Sequence, residues 1–471
     1  MRERKNSTPE CAAAPEACVK LVSIYVPDDH PLLQLKRALD WEAITAVMVK
    51  HWRQAGKNVA GGPGQPWPVS LYAPLLVLKA LKQWHPREAE EELAENVVAR
   101  VFVGCGQEWK PQVRDHSNIA RAEAALGAAG MAEVNQLVLS TAIQFGFGNP
   151  SLLSADTTVQ ELPIGYPNEP GILRGIAQRC QRALGVLKKS TTTAAAAVER
   201  GIEQTKEVLQ SVKHHHLFAK GKTEKTAVLR QIMAQTEALI QTTAQVVAAV
   251  GQSSASAVQR GVGVLRKMGE VTRVLLPQIV QWLETGVVAQ GKLLHAGITE
   301  ARAIIKGKAG KRVEFGLKWL VNRIKGGYLF GSRVAAYADE REMPLAALQQ
   351  YRAVCGAEAT PEMVVYDRGG SHPPTVKKLL KAGVKKVGIE PKGKAPWLVA
   401  EEDQRVVKSE RGKTEGSIGT LKSDKYHFNH PKERSLVTIE RAGQRSLVSL
   451  NLNHLMRDLV AREKQARGVA A

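Results

Sequence analysis

The chain has 471 residues, 44% of them apolar and only 5% aromatic, which excludes a disordered polypeptide and suits about two to four domains rich in helix. Lys and Arg number 66 against 45 Asp and Glu, a formal net charge of +21. An excess of that size points to a polyanionic partner, because each neutralised phosphate releases condensed counterion. Cys11, Cys18, Cys105, Cys180 and Cys355 are scattered without Cys-x-x-Cys spacing, which excludes a disulfide framework and a zinc signature and suits a reducing cytoplasm.

Residues 1–24 read as a loose leader, with no apolar region after Met1-Arg-Glu-Arg-Lys to make a signal peptide. No apolar run long enough to span a membrane follows, so the expected location is cytoplasmic. Residues 25–148 read as an all-helical, DNA-binding N-terminal region. Leu33, Leu35, Leu39, Ile44, Val47 and Met48 carry helical spacing, and a turn-rich break follows from Ala60 to Pro68. Helices are expected at Leu71 to Trp84, at Glu88 to Phe102, at Asn118 to Leu126 behind an N-cap at Ser117, and at Ala132 to Phe145.

Ser151 to Val159 is the first expected strand, followed by a Pro- and Gly-rich loop, 163–171. The next stretch holds only Phe218 and Trp282 as aromatics up to about Ile305, and Leu229, Ile232, Thr236, Leu239, Thr243, Val246 and Val250 keep 3-4 spacing. A helical hairpin bending at Gly251 to Ser256 is expected there, with a long dimeric coiled coil as the alternative, and with His214-His215-His216 at a tip and no metal role. Strand character returns at Arg312 to Ile324, with Tyr328 to Ala336 as hairpin partner. A helix at Pro344 to Cys355, a strand at Met363 to Asp367, a helix at Pro374 to Ala382, a strand at Val384 to Ile389 and a helix at Glu410 to Leu421 complete a mixed α/β sheet flanked by helices. The expected organisation is a core split between 149–174 and 311–440, a helical insertion at 175–310, and a C-terminal helix and tail at 441–471.

Three acids stand out against this frame. Asp156 follows the apolar run Leu152-Leu153-Ser154-Ala155, Asp367 follows Met363-Val364-Val365-Tyr366, and Glu415 shares a helix face with Arg411 and Lys422. Acids at strand ends with a third on a helix can hold two divalent ions over a phosphodiester, and magnesium suits the oxygen ligands. Each acid also has an ordinary reading, as a strand terminus, a turn residue or part of a surface ion-pair stripe. Glu410 and Asp339 compete with Glu415 as third ligand.

Seven lysines between 372 and 400, among them Lys377, Lys378, Lys392 and Lys394, oppose one acid, Glu390, and read as a phosphate-binding surface. Trp397 is either a base-stacking platform or a core residue. Gly369-Gly370 lacks the pattern of a phosphate-binding P-loop, so no ATP use is expected.

Arg411-x3-Glu415-x6-Lys422 resembles the Arg-Glu-Lys part of the YREK signature of bacterial insertion-sequence DDE transposases. Tyr366-Asp367-Arg368-Gly369-Gly370 is similar to their second-aspartate strand and Leu153-Ser-Ala-Asp156-Thr-Thr158 to the first. Asp29-His30-Pro31-Leu32, Asp40-Trp41-Glu42-Ala43-Ile44 and the closing Asn451-Leu-Asn453-His-Leu-Met-Arg457 also resemble that class. The resemblance covers nearly the whole chain outside about 175–310. It implies an RNase H-like core, Asp156, Asp367 and Glu415 as ligands of two Mg²⁺ ions (Mn²⁺ as substitute), and strand cleavage and transfer at insertion-sequence ends. It further implies Arg411 and Lys422 on DNA phosphates, double-stranded DNA (terminal inverted repeats and target) as partner, and a synaptic homo-oligomer. Where the signature has Tyr this chain has Lys408, also a candidate phosphate contact. A nuclease without strand transfer and a non-catalytic DNA-binding derivative are the alternatives.

Overall fold

The computed structural model describes residues 26–57, 59, 67–105, 115–305, 313–391, 393 and 395–468. The leader expected at 1–24, and Lys392 and Lys394, lie outside the described residues. The fold is mixed α/β, with many helices and a small mixed sheet. It divides into two compact units, one made of 1–160, 318–429 and 437–471, the other of 161–317 and 430–436.

In the first unit the chain opens with α1 (Pro31–Ala38), α2 (Trp41–Gln54), α3 (Val69–Lys82), α4 (Pro86–Glu95), α5 (Val97–Val103) and α6 (His116–Gln144). Asp40 caps α2 by accepting from the Ala43 amide at 2.9 Å, which satisfies one of the orphan donors at a helix start. The single helix expected over Glu88 to Phe102 is two, because Asn96 ends α4 and its side chain caps α5 from the other side. Asp115, not Ser117, caps α6, and the helix kinks at Gly127, where φ is +68°, a conformation open to glycine. These helices were expected to form a region of their own. Leu35, Ile44, Leu78 and Val138 instead share one apolar cluster with sheet residues Leu153, Leu320 and Val364.

The sheet of this unit runs β4–β3–β1–β5–β6, with β1 at Asn149–Glu161, β3 at Val313–Lys325, β4 at Leu329–Arg333, β5 at Met363–Tyr366 and β6 at Lys386–Ile389. β1, β5 and β6 are parallel neighbours, while β3 and β4 form an antiparallel hairpin. β1 continues past the expected end to Glu161, so Asp156 lies inside a strand and not at its end. Buried Thr158 and Gln160 explain the extension, since polar residues here face a packed surface.

α11 (Met343–Cys355) and α12 (Pro373–Lys381) link the later strands, and α13 spans Glu401–Leu421. α13 starts nine residues earlier than expected, where Glu401, Glu402 and Asp403 occupy its first turn and favour the positive end of the helix dipole. It lies close over the sheet. A Cβ on Gly388 of β6 would stand 2.4 Å from Val407, so only glycine admits the helix there. The last helix, α14 (Leu436–Ala466), is held by buried Asn451, whose amide donates to Asn135 Oδ1 at 2.7 Å and whose oxygen accepts from the Leu329 amide at 2.8 Å.

In the second unit α7 (Glu169–Ser190), α8 (Ala195–Leu217), α9 (Gly221–Val250) and α10 (Ser256–Thr285) pack around one apolar cluster that includes Leu184, Val208, Leu239 and Leu265. The expected bend between arms falls between α9 and α10. His214 to His216 lie in the last turn of α8. β2 (Arg302–Ile305) pairs antiparallel with the first residues of β3. Among the described residues no helix is long and apolar enough to cross a membrane.

Candidate active site

β1 and β5 pair in parallel with Ser154 opposite Val365, and the same register carried two residues on brings Asp156 level with Asp367. Neighbouring strands lie about 4.8 Å apart, so Asp156, within β1, stands beside Asp367, the residue that follows β5. Alternation puts Asp156 on the face of Ser154, and Asp367 on the face of Val365. Ser154 and Val365 are register partners, so these are one face, and it meets α13: Ser154 Oγ and Thr414 Oγ1 are 2.7 Å apart, and Val365 packs with Val407. Thr414 fixes the helix next to Glu415, which is exposed one residue further on.

Burial and neighbouring negative charge act together on the two aspartates. The carboxyl of Asp156 is pushed up to about 7, first by burial and then by the negative charge of Asp367, with Glu340 and Glu415 adding to it. Asp367 is raised as well, mainly by burial and then, against its bond from the Gly369 amide, by Glu340. Asp156 Oδ1 accepts from the Thr157 amide at 2.7 Å. Asp367 Oδ1 accepts from the Gly369 amide at 2.8 Å and caps the turn Arg368–Gly370, so its turn role and its place at the site coexist.

Glu340 is the residue that sequence reasoning passed over. Its Oε1 accepts from Thr157 Oγ1 at 3.0 Å and from the Tyr366 hydroxyl, while Oε2 pairs with Lys318 Nζ at 2.8 Å. It therefore holds the residue after Asp156 and the residue before Asp367. The two competing acids are accounted for elsewhere. Buried Glu410 pairs with Arg323 at 2.6 Å and with Lys413 at 2.7 Å. Asp339 pairs with Arg341 at 2.7 Å on the surface.

The expected cations fall in different settings. Arg411 Nη1 lies 2.9 Å from Glu390 Oε2, and Arg368 Nη2 lies 2.7 Å from the other oxygen of the same carboxylate. Lys422 forms the C-cap of α13. Lys408 is exposed on α13, and Lys377 and Lys378 are exposed on α12. Trp397 packs partly buried against Leu152, Met363, Val365 and Val407, which favours its core reading over base stacking.

The donor set suits divalent metal. All the groups are hard oxygen ligands, and the first cause of the raised Asp156 is burial beside further negative charge, which a cation relieves. Asp156, Asp367 and Glu415 are not drawn within the 4.8 Å span that gathers Glu90, Asp115 and His116, the group among the described residues that meets that span. A wider spread is compatible with two ions about 3.5–4 Å apart.

Residues 22–124 match the family model described as Transposase domain (DUF772). The match covers helices α1 to α5 and the start of α6, and it supports a transposase family and a transposition-related, DNA-processing role. No curated protein and no solved structure matches the chain.

Proposed function

We propose that the chain is a DDE transposase whose RNase H-like core is the sheet carrying Asp156 and Asp367 together with α13 and Glu415. The observation that carries this reading is the parallel register of β1 and β5, which continued two residues past Ser154 and Val365 brings Asp156 level with Asp367, with Glu415 on a helix held to β1 through Thr414. The match of the N-terminal helices to a transposase domain supports it independently.

Asp156, Asp367 and Glu415 would hold two Mg²⁺ ions, which when bound supply activation of the attacking oxygen and stabilisation of the leaving one. The residues of the chain do the positioning. Glu340 locks Thr157 and Tyr366, and so fixes the spacing of the two aspartates. Arg411 and Arg368, with Lys408, Lys422, Lys377 and Lys378, supply charge-assisted contacts to DNA phosphates. Water attacks phosphorus, the P–O3′ bond breaks, and the departing oxygen takes up a proton to become a 3′-hydroxyl. That hydroxyl then attacks a phosphodiester of the target strand in the same way.

The test is a strand-cleavage and joining assay on the DNA ends flanking the coding sequence, with Mg²⁺ or Mn²⁺. Asp156→Ala, Asp367→Ala and Glu415→Ala are each expected to lose cleavage and joining together. Wild-type activity in all three variants would remove the site. Cleavage without joining by the wild type would identify a nuclease instead.

A further inference from the structure

The unit formed by 161–317 and 430–436 contains a cavity of about 530 Å³. Its lining includes Arg179 and Arg182 of α7, His295, and His430, Lys432 and Arg434 from the segment before α14, with Glu433 as the acid among them. Arg179 and Arg182 are three residues apart on one helix face, an arrangement of like charges that destabilises a helix unless an anion offsets it. Arg179 is partly buried. Its guanidinium occupies the place of a side chain at Gly297, where a Cβ would stand 1.8 Å from Nη2. Burial, and then the charge of Arg182, holds its pKa below the ordinary arginine range.

Among the described residues no carboxylate pairs with Arg179, Arg182, Lys432 or Arg434, and the ion contact at the rim is His430 with Glu161 at 4.0 Å. His295 Nδ1 accepts from the Gly297 and Ile298 amides, both at 3.2 Å, which leaves Nε2 to carry the proton and act as a donor. The site thus combines paired guanidiniums, an ammonium and an imidazole N–H with little counter-charge. Planar forks of this kind match the oxygens of phosphate.

We propose that this cavity seats a phosphate group of a DNA strand, either a backbone phosphodiester or a terminal phosphate. The proposal rests on the DNA-processing reading above and adds to it a contact point on the inserted unit.

Full-length protein is titrated against labelled duplexes carrying 5′-phosphate or 5′-hydroxyl ends over a salt series. The double variant Arg179→Ala/Arg182→Ala is expected to bind about tenfold more weakly, with a salt slope shallower by about one to two. Arg179→Lys keeps the charge but not the fork, and is expected to bind with intermediate affinity at an unchanged unfolding midpoint. A loss confined to 5′-phosphorylated ends assigns a terminal phosphate; an equal loss on both probes assigns the backbone. Wild-type affinity and salt slope in the double variant would overturn the proposal while leaving the transposase reading intact. Failure of the wild type to bind any duplex would overturn both.

Discussion

Ser154 on β1 and Thr414 on α13 meet through their hydroxyls at 2.7 Å, both buried. Thr414 also donates to the Glu410 carbonyl at 2.9 Å, and a hydroxyl has one proton, so Ser154 is the donor across the pair. Two residues past Ser154 stands Asp156, and one past Thr414 stands Glu415. A single hydrogen bond thereby sets the helix against the strand at the level of the acids.

Removing that donor tests the link. Ser154→Ala is expected to cost about 1 kcal/mol, the net worth of one such bond, read from urea unfolding of the full chain. Strand cleavage should fall by more than the stability loss explains, because Glu415 loses its anchor. Unchanged cleavage in a destabilised Ser154→Ala protein would show that the bond serves packing alone.

Asp156 predicts a pH dependence in metal-free protein. Its folded value, about 7, lies above its ordinary 3.8, so the folded state holds the proton more tightly than the unfolded chain. The stability this contributes is complete below about pH 3.8 and is lost as pH rises through 7. In chelator, Asp156→Asn should be more stable than wild type at about pH 8 and similar to it at about pH 4, since only the ionised carboxylate is penalised. Parallel stability curves for the two proteins would refute the assignment.

Glu410 and Glu415 share a helix and should part company on mutation. Glu410 and Arg323 are 4% and 7% exposed and 2.6 Å apart. Glu410→Gln leaves a buried guanidinium short of its counter-charge and should destabilise by about 3 kcal/mol. Glu415→Gln, on an exposed position, should change stability by less than about 0.5 kcal/mol yet abolish cleavage. Denaturation and cleavage measured on both variants separate the roles, and equal stability losses would contradict them.

Glu340 is a positioning residue in this scheme. Glu340→Gln keeps one oxygen for Thr157 or Tyr366 but loses the charge facing Lys318, and a decrease in cleavage of about tenfold is expected, with the smaller defect of Tyr366→Phe alongside it. The readout beyond rate is metal dependence: the Mg²⁺ concentration for half-maximal cleavage should shift as the two aspartates move. A rate defect with no such shift would assign Glu340 to folding only.

The three acids stood out in the sequence because each lies beside a patterned segment. The apolar runs before Asp156 and Asp367 signalled strands, and the spacing of Arg411, Glu415 and Lys422 signalled a face. Glu340 carried no such mark. It sits in Asp339-Glu340-Arg341-Glu342, where every neighbour is charged, and its contacts arise only when that short turn packs beside the Arg368–Gly370 turn. Asp339, the neighbour that sequence reasoning weighed, is spent on Arg341. The break at Asn96 escaped for a related reason, since apolar spacing continues across it and only the cap reveals two helices. The pairing of the N-terminal helices with the sheet was equally hidden, because their apolar faces do not declare what covers them.

Glu390 gives the basic side of the site an unexpected character. One carboxylate spans the guanidiniums of Arg368 and Arg411, so neither arrives at a phosphate as a bare charge. Under the proposed function, an incoming strand would have to share or displace an occupant already in place, and its hold on these two arginines would be weaker for it.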